Sequence, residues 1–91
     1  MYLHLGGDTL VNGKELIGIF DIDTATLAKS TREFLAAAEK EGRVVNVSWE
    51  LPKSFAVAAA PKQKGKVYIN QMAPATLKKR AEEDEIVRQI D

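Results

Sequence analysis

Histidine occurs once, at His4, and cysteine not at all. A metal cluster built on several His or Cys side chains, a disulfide framework and a thiol nucleophile therefore lack their atoms. Asp21 and Asp23 stand two apart at the end of an apolar run, where they read as solvated turn residues rather than a working carboxylate pair. No carboxylate loop of EF-hand spacing is present, and Gly6-Gly7 opens no helix, so it matches neither a phosphate loop nor a dinucleotide motif. Enzyme chemistry needs converging groups. None is visible, so the expectation is a chain with no catalytic residue, no metal, no cofactor and no small-molecule substrate.

The charges are more informative. Thirteen Lys and Arg balance thirteen Asp and Glu, for a formal net charge of zero. Position breaks the balance. Residues 61–80 hold Lys62, Lys64, Lys66, Lys78, Lys79 and Arg80 with no acid, a sum of +6, and residues 81–91 sum to −4. A six-positive stretch can act as a phosphate footprint. It can equally be a solvated turn and helix face, its charge offset by acids three and four residues on. The lone Trp49 sits beside Leu51-Pro52-Lys53, where an indole at a loop edge can pack on a partner or finish a core.

These residues need a scaffold. A chain of 91 residues that is 45% hydrophobic supports one small domain with a modest core, and self-association is a common way to add buried area. No apolar run approaches the ~20 residues of a membrane helix, and the N-terminus has no secretory pattern. The expected address is the cytoplasm. Short strands read at about 2–5, 9–12 and 14–21, with Asn12-Gly13 as a hairpin turn joining the second to the third. Ser30 and Glu33 stand in capping-box spacing and predict a helix from Ser30 to Glu41, ended by Gly42. Thr31, Phe34, Leu35 and Ala38 form its apolar stripe. Further strands read at about 43–49, 54–60 and 66–70, and Pro74 opens a last helix.

The expected fold class is α+β: two three-stranded antiparallel β units, each followed by a helix (βββαβββα), with the helices on one face. The domain spans residues 1–81, and residues 82–91 form an acidic tail or helix extension. On a straight last helix Ile86, Val87 and Ile90 fall opposite Leu77. They are either a frayed tail or an oligomer contact.

Three segments in order carry a family likeness: Met1-Tyr2-Leu3-His4-Leu5-Gly6-Gly7-Asp8, Leu51-Pro52-Lys53-Ser54-Phe55, and Thr76-Leu77-Lys78-Lys79-Arg80-Ala81. Together they resemble the Rem family of bacterial extracellular-matrix regulatory proteins, most closely its RemB-like branch. The resemblance covers about residues 1–81. It implies a LytTR-like fold, ring-shaped homo-oligomers, and a role in transcription regulation of matrix and biofilm genes through double-stranded DNA. RemA-like relatives use arginines at the entry to the third strand and in the loop after the fourth. This chain has Lys14-Glu15 at the first place and Leu51-Pro52-Lys53 at the second. Leu, Pro or Glu does not replace a bidentate Arg contact.

The expectation is an oligomeric DNA-binding regulator with Lys14, Lys53, Lys62, Lys64 and Lys66 as phosphate contacts. Trp49, Leu51, Ile86, Val87 and Ile90 are the candidate oligomer or partner contacts. The alternative is a ring-forming structural or protein-interaction module that does not bind DNA.

Overall fold

The computed structural model describes residues 2–6 and 9–90, the last eight of these by backbone alone. Its elements are β1 (Tyr2–Gly6), β2 (Thr9–Asn12), β3 (Leu16–Asp21), α1 (Ile22–Ala25), α2 (Lys29–Lys40), β4 (Val44–Asn46), β5 (Ser54–Ala58), β6 (Lys66–Asn70) and α3 (Pro74–Ile90). The α+β class and the order of strands and long helices agree with the sequence pattern. The strand pairing does not. β1 and β2 form a two-stranded sheet, and the other four form a second sheet in the order β3-β5-β6-β4.

Asn12-Gly13 is a turn but not a hairpin. Glu15 N–H donates to the Asn12 carbonyl at 2.9 Å, and the Asn12 side chain accepts from Lys14 N–H at 3.0 Å. A type I′ hairpin needs positive φ at both central residues. Gly13 is not among the positive-φ residues, which within the described chain are Gly42 and Lys62. The turn therefore hands the chain from one sheet to the other, and β3 pairs antiparallel with β5. β4 lies parallel to β6. A helical crossover returns a chain in its original direction, so β3, α2 and β4 form a βαβ unit around the β5–β6 hairpin.

All five residues of β5 are buried, which requires cover on both faces. Phe55 and Val57 point to one side, where they pack with Ala38 of α2 and Val67. Ala58 points to the other, with Leu3 and Leu5 of β1, Val11 of β2 and Leu77 of α3. The helices thus lie on opposite faces of the larger sheet, not on one.

Helix starts also differ from the expected pattern. Asp21, read as a solvated turn residue, caps α1 by accepting from Thr24 N–H at 3.0 Å. α2 begins at Lys29, and its N-cap, Ala28, makes no side-chain bond. Glu33 lies 3.8 Å from Lys29 in an i,i+4 pair, an alternative to closing a box with Ser30. Arg32 secures the bend instead, donating to the carbonyls of Thr26 and Leu27 at 2.8 and 2.9 Å.

The end of α2 follows the sequence. Gly42 takes φ 73°, its N–H donates to Glu39, and Arg43 N–H donates to Ala38, a Schellman closure. Glu41 at this end accepts from Lys64 at 2.9 Å and from Arg43 at 3.0 Å. Lys64 first, and Arg43 second, hold the Glu41 carboxyl below its ordinary value. Arg43 also donates to the Gly65 carbonyl. The helix end is thereby fastened to the β5–β6 loop.

Two buried polar side chains secure the Ser54–Asn70 end of β5 and β6, and one of them joins the two sheets. Asn70 donates to the Leu5 carbonyl at 2.6 Å and accepts from Met72 N–H at 2.7 Å. Its cross-strand partner Ser54 donates to the Met72 carbonyl at 2.6 Å. Among the described residues no helix is long and apolar enough to cross a membrane.

Asn70→Ala strands the Leu5 carbonyl and the Met72 N–H. It is expected to cost about 2 kcal/mol and to lower Tm by roughly 8–16 °C in calorimetry. Glu41 ionises more readily folded than unfolded, so its contribution is present above the ordinary value of pH 4.5 and is lost as pH falls through the lowered folded value. Denaturation curves of the parent chain and Glu41→Gln should differ at neutral pH and converge below pH 4.5.

Candidate nucleic-acid interface

The five candidate phosphate contacts fall at two ends of the larger sheet. Lys14 sits in the β2–β3 turn, whose Glu15 carbonyl accepts from Ala59 N–H at 2.9 Å. That bond places the turn beside the end of β5, where the β5–β6 loop begins. Lys62 and Lys64 lie in this loop and Lys66 opens β6, so all four lysines share one end. Lys53 precedes β5 at the opposite end, its N–H donating to the Asn70 carbonyl at 2.9 Å. The five residues of β5 set the two ends about 17 Å apart.

The loop's geometry follows from its residues. Gln63 N–H donates to the Ala60 carbonyl at 3.1 Å, with Pro61 and Lys62 as the central pair. Pro supplies the fixed first φ, and Lys62 takes φ 65° at the second position, as a type II turn demands. That conformation suits Gly better than Lys. The fold therefore holds a long cation at a place its backbone would give to glycine.

The four lysines are not equivalent. Lys64 is engaged by Glu41, and the pair is half-exposed on the acid's side. Lys14, Lys62 and Lys66 are exposed, and none forms an ion pair within the described residues. Lys64 and Lys66 also line a polar cleft of about 340 Å³ with Tyr2, Glu15, Gln63 and Tyr68. Chemically, this end offers point-charge donors to phosphate oxygens. Among the described residues it has no planar fork aimed outward, since Arg43 is spent on Glu41 and Gly65. Arg43 is the charge at this end that the sequence pattern missed. It lies outside the basic stretch and reaches Gly65 only through the βαβ crossover.

The candidate contact residues divide likewise. Trp49 is 100% exposed and Leu51 is 83% exposed, both in the β4–β5 loop. Trp49 therefore does not finish a core. Ser48 Oγ donates to the Gln71 side chain at 2.8 Å and accepts from Glu50 N–H at 3.1 Å, which shapes the loop around the end of β6. Ile86, Val87 and Ile90 lie outside the described side chains. On α3, Leu77 is buried, while Lys78 and Lys79 are exposed and Arg80 donates to the His4 carbonyl at 3.3 Å. Among the described residues no three His, Cys, Asp or Glu side chains group as metal ligands.

A second surface was not singled out by the sequence pattern. Ile17, Phe20, Phe34, Phe55 and Val57 line an open apolar groove of about 340 Å³ between β3 and α2. Phe20 stacks on Phe55 with centroids 5.2 Å apart, and Arg43 lies 5.8 Å over the Phe34 ring. The sequence pattern puts Phe34 in the apolar stripe that α2 turns to the sheet. α2 leans over β4 and β6 and leaves the β3 side uncovered, so the ring is only partly buried.

No protein-family model matches the chain. Against curated proteins it is 34% identical over 82 residues to extracellular matrix regulatory protein B of Bacillus subtilis (strain 168), spanning 90% of this chain and 91% of that one. A likeness of that depth along nearly the whole of both chains shows that this chain belongs to the RemB-like family of extracellular-matrix regulatory proteins.

Proposed function

We propose that the chain is a non-enzymatic cytoplasmic regulator of matrix genes that self-associates, as a ring, and holds double-stranded DNA by its phosphates. The name of its Bacillus relative supports the regulatory part. A relation of the fold to the LytTR-type DNA-binding domain belongs to the same reading. The observation that carries the DNA part is the gathering of Lys14, from the β2–β3 turn, with Lys62 and Lys66, from the β5–β6 loop and the start of β6, onto one end of the sheet.

One copy offers few phosphate contacts, and a chain of zero net charge has no general attraction to DNA. Copies set side by side repeat the cationic end, and their contacts add along a duplex. Exposed Ile17, Leu27, Trp49 and Leu51 favour such self-association, because a small domain rarely leaves so much apolar surface without use. The same exposure of Trp49 and Leu51 favours the second reading, a ring that binds a protein and not DNA.

Fluorescence anisotropy with a labelled random-sequence duplex separates the two. Binding is expected at low salt and should weaken steeply toward physiological salt. Lys66→Ala should reduce the log–log salt slope by about 0.9 for each contact it removes. Lys14→Glu with Lys66→Glu should abolish binding. Glu41→Gln should tighten it, since Lys64 is then released to the duplex. Absence of binding at low salt overturns the DNA reading and leaves the protein-interaction one.

A further inference from the structure

We propose that Trp49 and Leu51 of one copy seat in the apolar groove between β3 and α2 of a second copy. The inference rests on the self-association read above and names the surfaces that perform it.

The two surfaces match in chemistry. The tip presents an indole and a branched aliphatic side chain to solvent. The groove is walled by Ile17, Phe20, Phe34, Phe55 and Val57, with Ser30 and Thr31 at its rim and no charged side chain in its lining. Its volume of about 340 Å³ is at the small end of pockets that take a compact ring system. The flanking charges also match. Glu50 lies between Trp49 and Leu51, and Lys53 follows two residues on. Lys29 precedes Ser30, and Asp21 follows Phe20. Seating the tip brings the Glu50 carboxylate of one copy toward the Lys29 ammonium of the other, whereas Lys53 already adjoins Asp21 on its own copy.

Size decides in the same direction. Trp49, Leu51 and Ile17 are mostly exposed, and Phe20 and Phe34 partly so. Together they would bury on the order of 700 Å² of apolar surface, a large share of the ~1,200 Å² at which stable interfaces begin. An aromatic anchor in a pocket is where interface energy concentrates.

The tip does not occupy its own groove, since Trp49 is fully exposed. Its loop wraps the end of β6, whereas the groove opens at the far side of β5, along β3. Different patches on each copy make a head-to-tail contact, and such contacts close into rings when the rotation permits. Pairing of β3 edges is a poorer route. Its register shifts between Leu16 and Gly18, and a bulge of this kind at Ile17 blunts an edge against strand addition.

Trp49 is the sole tryptophan, so its emission reads its own docking. Light scattering and fluorescence are measured together across a dilution series. The full chain is expected to exceed the monomer mass and to show blue-shifted emission, which moves red as it dissociates. Trp49→Ala and Ile17→Asp should each reduce the mass to one chain while circular dichroism stays unchanged. Mixed in equal amounts they should give a heterodimer, because one keeps the groove and the other keeps the tip. Thr31→Arg at the rim replaces Ile17→Asp if that variant unfolds. An assembled full chain with solvent-like Trp49 emission, or an assembled Trp49→Ala, overturns the inference and leaves self-association standing. A full chain that is monomeric at every concentration overturns both.

Discussion

Burial of β5 on both faces is the constraint around which the molecule is arranged. A strand reading Ser-Phe-Ala-Val-Ala cannot show either side to water without losing its packing. Phe55 and Val57 draw α2 onto one face. Ser54, Ala56 and Ala58 are small, and their face is filled by the β1–β2 hairpin and α3. The small side chains let a second sheet approach closely enough for Asn70 to reach the Leu5 carbonyl. Neither sheet would suffice alone. The two-stranded one has a single inner face of Leu3, Leu5 and Val11, and an isolated hairpin is marginal in water.

Much of this was legible in the residues, and the rest was not for identifiable reasons. Gly42 as the stop of α2, Pro74 at the start of α3 and the approximate positions of most strands depend on local geometry, which a sequence displays, although the strand expected at 43–49 keeps only Val44–Asn46. The Asn12-Gly13 turn shows where local signals mislead. The dipeptide permits a hairpin, but Asn12 uses its side chain to close a different turn, and β3 finds its partner nearly forty residues on. The continuous apolar run from Phe55 to Ala60 did carry the clue to two-sided burial. The site was legible as charge and not as place. Lys53 and Lys66 read as parts of one basic set, yet opposite ends of the sheet receive them, because strand order is a property of long-range pairing. The engagement of Lys64 by Glu41, 23 residues away, depends on the same crossover.

The surface divides its labour accordingly. One end of the larger sheet is polar and cationic, fed by the β2–β3 turn and the β5–β6 loop. The β3 side is apolar and uncovered. The β4–β5 loop projects an apolar tip from the end of β6. Zero net charge is therefore an average over regions with distinct characters. Any attraction to an anionic partner is local, and it is moderated by Glu15 and Glu41, which stand among the lysines.

The bond between Asn70 and Leu5 joins residues 65 positions apart. During synthesis at 5–20 residues per second, the first strand waits about 3 to 13 s for its anchor to be made. Through that interval Leu3, Leu5 and Val11 have no core to enter, because Leu77 follows later still. The hairpin is made well before the residues that complete its core. A growing chain therefore carries this apolar face uncovered while the intervening residues are made, and the wait is set by sequence separation rather than by the strength of the packing.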